Sequence, residues 1–252
     1  MNTVSASSAV LRTASPSAYH KARYHLALAL MGIGAVLTRE SDHPLVIERS
    51  SKKNGKERGF KLKLHEKSPD APLSPFYLNL RTADNKDGPL TKELVDQSAS
   101  CMHMLIDKNG LAFDAVAGIP RAGDPFAEAL SGFMDKPLIK LDKYEHNGKR
   151  QIASLKGEVP VAIKNVALVD DLITGADSKV EAVRILQNAE IAVDNVVVLV
   201  DREQGGYDQL MEWGCNLHSV FTISEMLEFY VDAGKMSDQT YVDIRAYLAA
   251  VA

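Results

Sequence analysis

Two adjacent carboxylates, followed at once by a short turn of small residues, are the part of this sequence best suited to chemistry. The segment begins with the apolar residues Val166 to Val169 and continues as Asp170, Asp171, Leu172, Ile173, Thr174, Gly175, Ala176, Asp177 and Ser178. Carboxylate oxygens accept hydrogen bonds from hydroxyl groups, whereas the free N–H groups at a helix start favour an anion such as phosphate. A hydroxyl-binding pair beside a phosphate-binding turn predicts a site for a sugar phosphate.

The residues around this pair predict the elements that position it. Four apolar residues without polar alternation, from Val166, are typical of a parallel strand buried on both faces. From Ser178 onward the spacing of Val180, Val183 and Leu186 predicts a helix. Gly175 would let the backbone approach a ligand. The side chain of Asp177 either caps this helix, at little cost, or points inward and weakens phosphate binding.

Other predicted strands end on the same side of the sheet. Phe113–Gly118 is a buried strand with a loop from Ile119 to Pro125, and Val196–Val200 ends in the charged segment Asp201–Gly206. Leu138–Leu141 is a third such strand, and the polar stretch Asp142–Gln151 after it predicts a mobile loop able to close as a lid. Ligands of open α/β sheets bind at these carboxyl ends.

The sequence before residue 91 predicts a smaller region beside the sheet. Its predicted elements are a helix over Tyr19–Leu37 that ends at Gly32 and Gly34, a hairpin over Arg49–Lys67 that turns at Asn54-Gly55, and a strand opening at Ser74. A helix over Glu93–Ile106 follows. We therefore expect a flexible tail over 1–18, an N-terminal helix and hood over 19–90, and an α/β core with C-terminal helices over 91–252.

Composition and charge exclude several functional classes. The chain has 252 residues, 46% hydrophobic and 25% charged, which is enough for a full core. Its net charge of -4 and pI near 6.0 argue against nucleic-acid binding. Cys101 and Cys215 lie far apart and predict neither a disulfide framework nor a zinc site, which favours the cytoplasm. No apolar run approaches the ~20 residues that span a bilayer, so we expect no membrane segment.

The segment around the paired acids resembles the phosphoribosyl-pyrophosphate signature of type I phosphoribosyltransferases. That signature has an apolar strand, two acids, two apolar residues, a Thr and a Gly-rich loop. The segment Asp201-Arg202-Glu203-Gln204-Gly205-Gly206 narrows the resemblance to orotate phosphoribosyltransferases, and further matches lie at Leu217–Leu227 and Ser74–Asn79. The resemblance implies a parallel sheet flanked by helices, with a small N-terminal hood subdomain.

The resemblance also implies roles for individual residues. Phosphoribosyl pyrophosphate would contact residues 170 to 178 together with Arg121, Lys140 and Lys149. Orotate would contact Lys63, Tyr77, Leu78, Thr174 and Arg202, and the catalytic residues would be Asp171, His146 and Lys143. The family further implies Mg²⁺ on the pyrophosphate leaving group, although the sequence assigns no side chain as a metal ligand. It also implies a homodimer whose two subunits share the lid. Arg202 suits a planar carboxylate because its guanidinium presents a fork of donors, and Tyr77 suits a ring because it stacks.

The predicted lid departs from the family pattern. At the places where relatives carry an Arg-Lys pair, a further Lys and a His or Tyr, this chain has Lys140, Leu141, Tyr144 and His146. Two cations are therefore missing, although Lys143 and Lys149 lie nearby, and Arg121-Ala122 stands where relatives often have Tyr-Lys. Three functions remain open: an orotate phosphoribosyltransferase, a catalytically weak relative that binds the sugar pyrophosphate or a nucleotide for regulation, and a transferase for another base. For Arg202 alone, a strand-end salt bridge with Asp201 or Glu203 is the competing role.

Overall fold

The fold was analysed in a computed structural model, which describes residues 17–51, 55–62, 64–84, 88–146 and 149–251. At residues 51, 64, 67, 145, 146, 149–153 and 251 the description covers the backbone alone. The predicted tail over residues 1–18 therefore lies almost wholly outside the described residues.

Helices and strands alternate along most of the chain. The helices are α1 Ala18–Gly32, α2 Leu64–Lys67, α3 Lys92–Asn109, α4 Asp124–Met134, α5 Asp177–Asn188, α6 Gly206–Glu212, α7 Ile223–Asp232 and α8 Asp238–Val251. The strands are β1 Val36–Thr38, β2 Ile47–Ser51, β3 Gly55–Gly59, β4 Phe76–Leu78, β5 Ala115–Gly118, β6 Leu138–His146, β7 Lys149–Lys156, β8 Asn165–Ile173, β9 Ala192–Asp201 and β10 Asn216–Thr222. In the part of the chain that the structure describes, no helix is long and apolar enough to cross a membrane.

The main sheet is parallel except at one edge. Its six strands follow the order β10-β9-β8-β5-β6-β7, and only β7 runs antiparallel to its neighbour. Successive residues of β9 alternate between two cores: Val197 and Leu199 pack with α1, α3, α7 and α8, whereas Val196 and Val198 pack with α5. Helices on both faces explain why these strands read as continuous apolar runs. The predicted α/β fold is confirmed.

The N-terminal elements pack against this sheet. The first helix ends at Gly32 as predicted, but the range predicted for it, which ran to Leu37, was too long: Val36 and Leu37 belong to β1, after Gly34 with its φ of +76°. Strand β1 pairs antiparallel with β4, and Phe76 and Leu78 of β4 join the core on the α1 side. The predicted hairpin is present as β2 and β3, with Gly55 at a φ of +73°, while Asn54 lies outside the described residues. The division of the chain into tail, hood and core stays a prediction.

Two strands extend beyond their predicted ends. Strand β6 continues through the segment predicted to be a loop and returns as β7, so the base of the predicted lid is a β-hairpin. Strand β8 continues to Ile173, because β9 supplies ladder partners as far as Asp201, opposite Ile173. Asp170 and Asp171 therefore lie within a strand rather than after it. Polar composition hid both extensions, since a partner strand satisfies the backbone whatever the side chains are.

Candidate active site

The loops that follow β5, β8 and β9 meet at one edge of the sheet. The backbone N–H of Ile119 donates to the carbonyl of Val169 over 2.9 Å, and that of Arg202 donates to Ile173 over 3.0 Å. A Cβ atom at Gly123 would collide with the carbonyl oxygen of Val169, so only glycine lets the first loop pack onto the end of β8. The three predicted ligand-binding segments are therefore neighbours.

The start of α5 offers backbone donors to an anion. No side chain caps this helix, and among the described residues no acceptor faces the N–H groups of Asp177, Ser178 and Lys179. The N–H of Ala176 is already used, since it donates to Oε1 of Gln209 in α6 over 2.6 Å. Unpaired N–H groups at a helix start, together with the helix dipole, form a phosphate-sized site.

Asp177 faces solvent at this helix start. Its side chain makes no capping hydrogen bond and is exposed, in a groove lined also by Arg184 and Gln209. Capping, one of the two alternatives for Asp177, is therefore not its role. As the first residue of α5, its carboxylate contributes negative potential where a phosphate would bind.

The first carboxylate of the pair is engaged in a buried ion pair. Asp170 is 4% exposed, and its Oδ2 lies 2.5 Å from Nζ of Lys179, which is also 4% exposed. Oδ1 of Asp170 accepts the N–H of Asp171 over 2.9 Å, and Lys179 donates to the carbonyl of Leu172 over 2.7 Å. The sequence interpretation missed Lys179, although the residue sits on the buried stripe of α5, one turn before Val183.

The second carboxylate is the one that a ligand can reach. Asp171 is half-buried, and its Oδ1 accepts the N–H of Leu172 over 2.7 Å. Burial, and next the negative charge of Asp170, raise the pKa of Asp171 well above its ordinary value, while Lys179 opposes this rise. The two acids therefore differ: Asp170 is neutralised by a partner, whereas Asp171 stays available to hydroxyl groups or cations.

Arg202 is a half-buried cation that has no carboxylate partner among the described residues. The competing salt bridges are not formed, because Asp201 accepts the N–H of Glu203 over 2.8 Å and Glu203 accepts the N–H of Ser224 over 2.9 Å. The Arg202 guanidinium instead lies 5.2 Å from the centre of the Phe76 ring. Burial lowers the pKa of Arg202, and the nearby oxygen of Tyr247 is the first influence against this change. A buried, unpaired guanidinium is a binding site for an anion.

Phe76 is the ring that contacts Arg202, and the predicted base contacts lie around it in part differently from expectation. Tyr77 is half-buried and stacks on Phe60, with 5.6 Å between the ring centres. Leu78, a predicted orotate contact, is 8% exposed and lies in the core with Phe76, because alternate residues of a strand share a face. Phe76 was missed as the contact of Arg202, although it belongs to the matching segment. Thr174 is half-buried at the end of β8.

A cleft of about 550 Å³ lies between the loop after β5 and the base of the hairpin. Arg121, Lys140 and Lys143 all line it. Nζ of Lys143 donates to the carbonyl of Pro120 over 3.0 Å, whereas Lys140 pairs with Glu128 over 3.0 Å. The structure thus brings Lys143 to the Arg121 loop. Lys63 and the side chains of His146 and Lys149 lie outside the described residues.

Solved structures place this arrangement in the class of type I phosphoribosyltransferases. Leishmania donovani UMP synthase superposes with a TM-score of 0.64 and 26% identity, over 95% of this chain and 48% of that chain. Orotate phosphoribosyltransferase from Aeropyrum pernix shares the fold, with a TM-score of 0.54 and 22% identity over 81% of this chain and 97% of its own. The class predicted from the paired acids is therefore confirmed.

Sequence comparison gives the family within this class. Orotate phosphoribosyltransferase of Sulfurisphaera tokodaii is 32% identical over 179 residues, which cover 70% of this chain and 85% of the relative. This chain belongs to the orotate phosphoribosyltransferase family. A search with protein-family models found no match. The roles of individual residues stay predictions.

Proposed function

We propose that this protein is an orotate phosphoribosyltransferase of UMP biosynthesis. It transfers ribose 5-phosphate from phosphoribosyl pyrophosphate to orotate and releases orotidine 5'-monophosphate and pyrophosphate. One observation carries the proposal: Arg202 is half-buried, has no carboxylate partner among the described residues and lies beside aromatic rings, next to a helix start with free N–H groups. The carboxylate of a base would pair with Arg202, and the phosphate of a sugar phosphate would accept hydrogen bonds from the free N–H groups at the helix start.

The base binds at Arg202. Its carboxylate receives the guanidinium fork in bidentate geometry, which neutralises a cation that the protein leaves unpaired. Phe76 supports the guanidinium from one side, and Tyr77 presents a ring on which a planar pyrimidine stacks. A base without a carboxylate leaves Arg202 buried and unpaired, so the site discriminates against it.

The sugar phosphate binds along β8 and α5. The oxygens of its 5-phosphate accept hydrogen bonds from the N–H groups of Asp177, Ser178 and Lys179. The hydroxyls of its ribose donate to the carboxylate of Asp171. Asp170 acts through its ion pair with Lys179, which fixes the end of β8 against α5. The pyrophosphate then lies toward the cleft that contains Arg121 and Lys143.

In the reaction, a ring nitrogen of orotate forms a bond to the anomeric carbon while the bond to pyrophosphate breaks. Positive charge develops on the ribose and negative charge on the leaving group. Asp171 stabilises the former and Arg121 with Lys143 the latter, so electrostatic stabilisation dominates. From the family resemblance, His146 and Lys149 complete the lid.

The donor set of the site fits Mg²⁺ that arrives with the substrate. Among the described residues, no three His, Cys, Asp or Glu side chains cluster as a metal cage. Mg²⁺ commonly binds one or two carboxylates together with substrate phosphates and water. Asp171 is a carboxylate at the carboxyl end of β8 that a ligand can reach. Bound there, Mg²⁺ would supply charge neutralisation on the pyrophosphate.

A homodimer in the cytoplasm is part of the proposal. The family shares its lid across a dimer, and here the lid is a hairpin that extends from the sheet edge at β6 and β7. Cys101 and Cys215 are buried and free, which suits a reducing compartment.

Leu141 favours the alternative of a catalytically weak relative that binds the sugar pyrophosphate or a nucleotide. Relatives carry a cation at this place, whereas Leu141 is 5% exposed and packs in the core with Ile139. The leucine side chain there presents no charge to the pyrophosphate, so Lys143 would have to compensate. A protein that binds both substrates without turnover would match this alternative.

The exposed charge of Asp177 provides the first prediction. Asp177→Asn keeps the shape of the side chain but removes a negative charge beside the proposed phosphate site, so we expect the KM for phosphoribosyl pyrophosphate to fall by about two- to fivefold. Initial rates at saturating orotate measure this change. The matched control is Asp208→Asn, an exposed acid in the first turn of α6, which should leave this KM unchanged. An unchanged or higher KM in Asp177→Asn would contradict the proposed phosphate position.

A panel of bases tests the function itself. The full chain is incubated with phosphoribosyl pyrophosphate, Mg²⁺ and either orotate, uracil, adenine or hypoxanthine, and products are identified by mass. We expect a nucleotide from orotate and much less from the bases that lack a carboxylate. Turnover of another base in preference to orotate would establish the third function, and binding without any nucleotide would establish the regulatory relative.

A further inference from the structure

Two buried polar atoms without partners among the described residues belong to side chains that both contact the Phe76 ring. Tyr247 of α8 is 8% exposed, and its hydroxyl has no hydrogen-bond partner among the described residues. The same holds for Nε of Arg202. The Tyr247 ring meets Phe76 edge to face at 6.4 Å, and the Arg202 guanidinium lies 5.2 Å from the centre of that Phe76 ring.

The two atoms are chemically complementary. The Nε of arginine carries a single hydrogen and only donates, whereas a tyrosine oxygen accepts. Buried polar groups are seldom left unpaired, because each unmade hydrogen bond is unfavourable. Both side chains contact Phe76, and the Tyr247 oxygen acts electrostatically on the guanidinium, so a rotation of Arg202 would let its Nε–H approach that oxygen. Hydrogen bonds of ligand-free sites commonly tighten when the ligand binds. The terminal nitrogens of the guanidinium would then stay free for a carboxylate.

A second, independent contact ties α8 to the Arg202 loop. Glu203 follows Arg202 with a φ of 56°, in the left-handed region, and its carboxylate accepts the N–H of Ser224 over 2.9 Å and the Ser224 hydroxyl. Arg245, two residues before Tyr247, donates to that same hydroxyl oxygen. Helix α8 is therefore linked to the residue after Arg202 through Ser224, and its Tyr247 acts electrostatically on the guanidinium.

We propose that α8 is part of the base site, and that Tyr247 is a positioning residue which orients Arg202 toward the carboxylate of the base. This inference rests on the proposed function. In this proposal Tyr247 does not touch the substrate, because its hydroxyl is buried. Its role is to accept from Nε, so that the two terminal nitrogens form the fork that reads a planar carboxylate.

The substitution Tyr247→Phe removes the hydroxyl and keeps the ring against Phe76. We expect the KM for orotate to rise about tenfold, as for a lost hydrogen bond to a charged group, while the KM for phosphoribosyl pyrophosphate and the unfolding midpoint stay unchanged. Tyr230→Phe is the matched control. Tyr230 is fully buried in α7, and its hydroxyl also has no partner among the described residues, so its loss should change neither KM.

The outcomes separate this inference from the proposed function. An active wild-type protein whose Tyr247→Phe variant keeps its orotate KM within twofold overturns the role of Tyr247 alone. Equal changes in both KM values, accompanied by a lower unfolding midpoint, overturn it as well, because they report a general packing defect. Calorimetry with orotate on the same proteins covers the case of slow turnover. A wild-type protein that neither consumes nor binds orotate overturns both proposals.

Discussion

Replacing Arg202 with alanine is expected to lower kcat/KM for orotate by about 100- to 1000-fold, while the KM for phosphoribosyl pyrophosphate changes little. The variant loses the forked cation that receives the carboxylate, and truncating one partner of a buried charge pair commonly has an effect of this size. Initial rates with each substrate varied in turn measure both quantities.

Two controls distinguish a lost contact from a damaged fold. Arg202→Lys keeps the charge without the fork, so it should recover only part of the lost activity. The unfolding free energy of Arg202→Ala should stay within about 1 kcal/mol of the wild type, because among the described residues no carboxylate loses its partner and only the contact with Phe76 disappears. An orotate KM that does not respond to either substitution would place the base elsewhere.

The second large effect concerns stability. Lys179→Met is expected to lower the free energy of unfolding by about 3–5 kcal/mol, because it leaves the Asp170 carboxylate buried without its ion-pair partner. The apolar replacement keeps most of the side-chain volume, so packing changes contribute little. Urea unfolding at neutral pH measures the difference.

Two further variants test the cause of that loss. Adding Asp170→Asn to Lys179→Met removes the stranded charge and should recover much of the stability, although the amide keeps the N–H contact of Asp171 imperfectly. Lys140→Met is the matched surface control, since its ion pair with Glu128 is largely exposed and contributes at most about 1 kcal/mol. If Lys179→Met and Lys140→Met lose the same small amount, Asp170 does not depend on Lys179.

Much of the fold follows from apolar patterning alone. The run at Val166 and the run at Val196 predict strands buried on both faces, since helices on both faces demand apolar side chains on both, and the structure pairs them as parallel neighbours. The paired acids likewise predict the position of the site, since they lie among the last paired residues of β8, at the carboxyl end where ligands of α/β sheets bind, although the strand continues past them to Ile173. Local sequence was therefore sufficient to predict the strands and the position of the site, because both depend on the residues of β8 and β9 themselves.

The remainder depends on contacts between segments that are distant in sequence. Lys179 looks like a surface lysine until α5 folds back onto β8 and buries it beside Asp170. Tyr247 looks like part of a plain helical tail until α8 packs against Phe76. The hairpin of β6 and β7 was hidden for a similar reason, because strand pairing satisfies a polar backbone as readily as an apolar one. Periodicity records which face is buried, but not which partner covers it.

The most direct test of the central claim follows orotate absorbance when the full, unaltered chain is mixed with phosphoribosyl pyrophosphate and Mg²⁺. We predict that orotate is consumed with the release of one pyrophosphate per molecule, and that orotidine 5'-monophosphate with pyrophosphate regenerates orotate in the reverse direction. A protein that binds both substrates in calorimetry but consumes no orotate in either direction would contradict the claim and establish a binding protein instead.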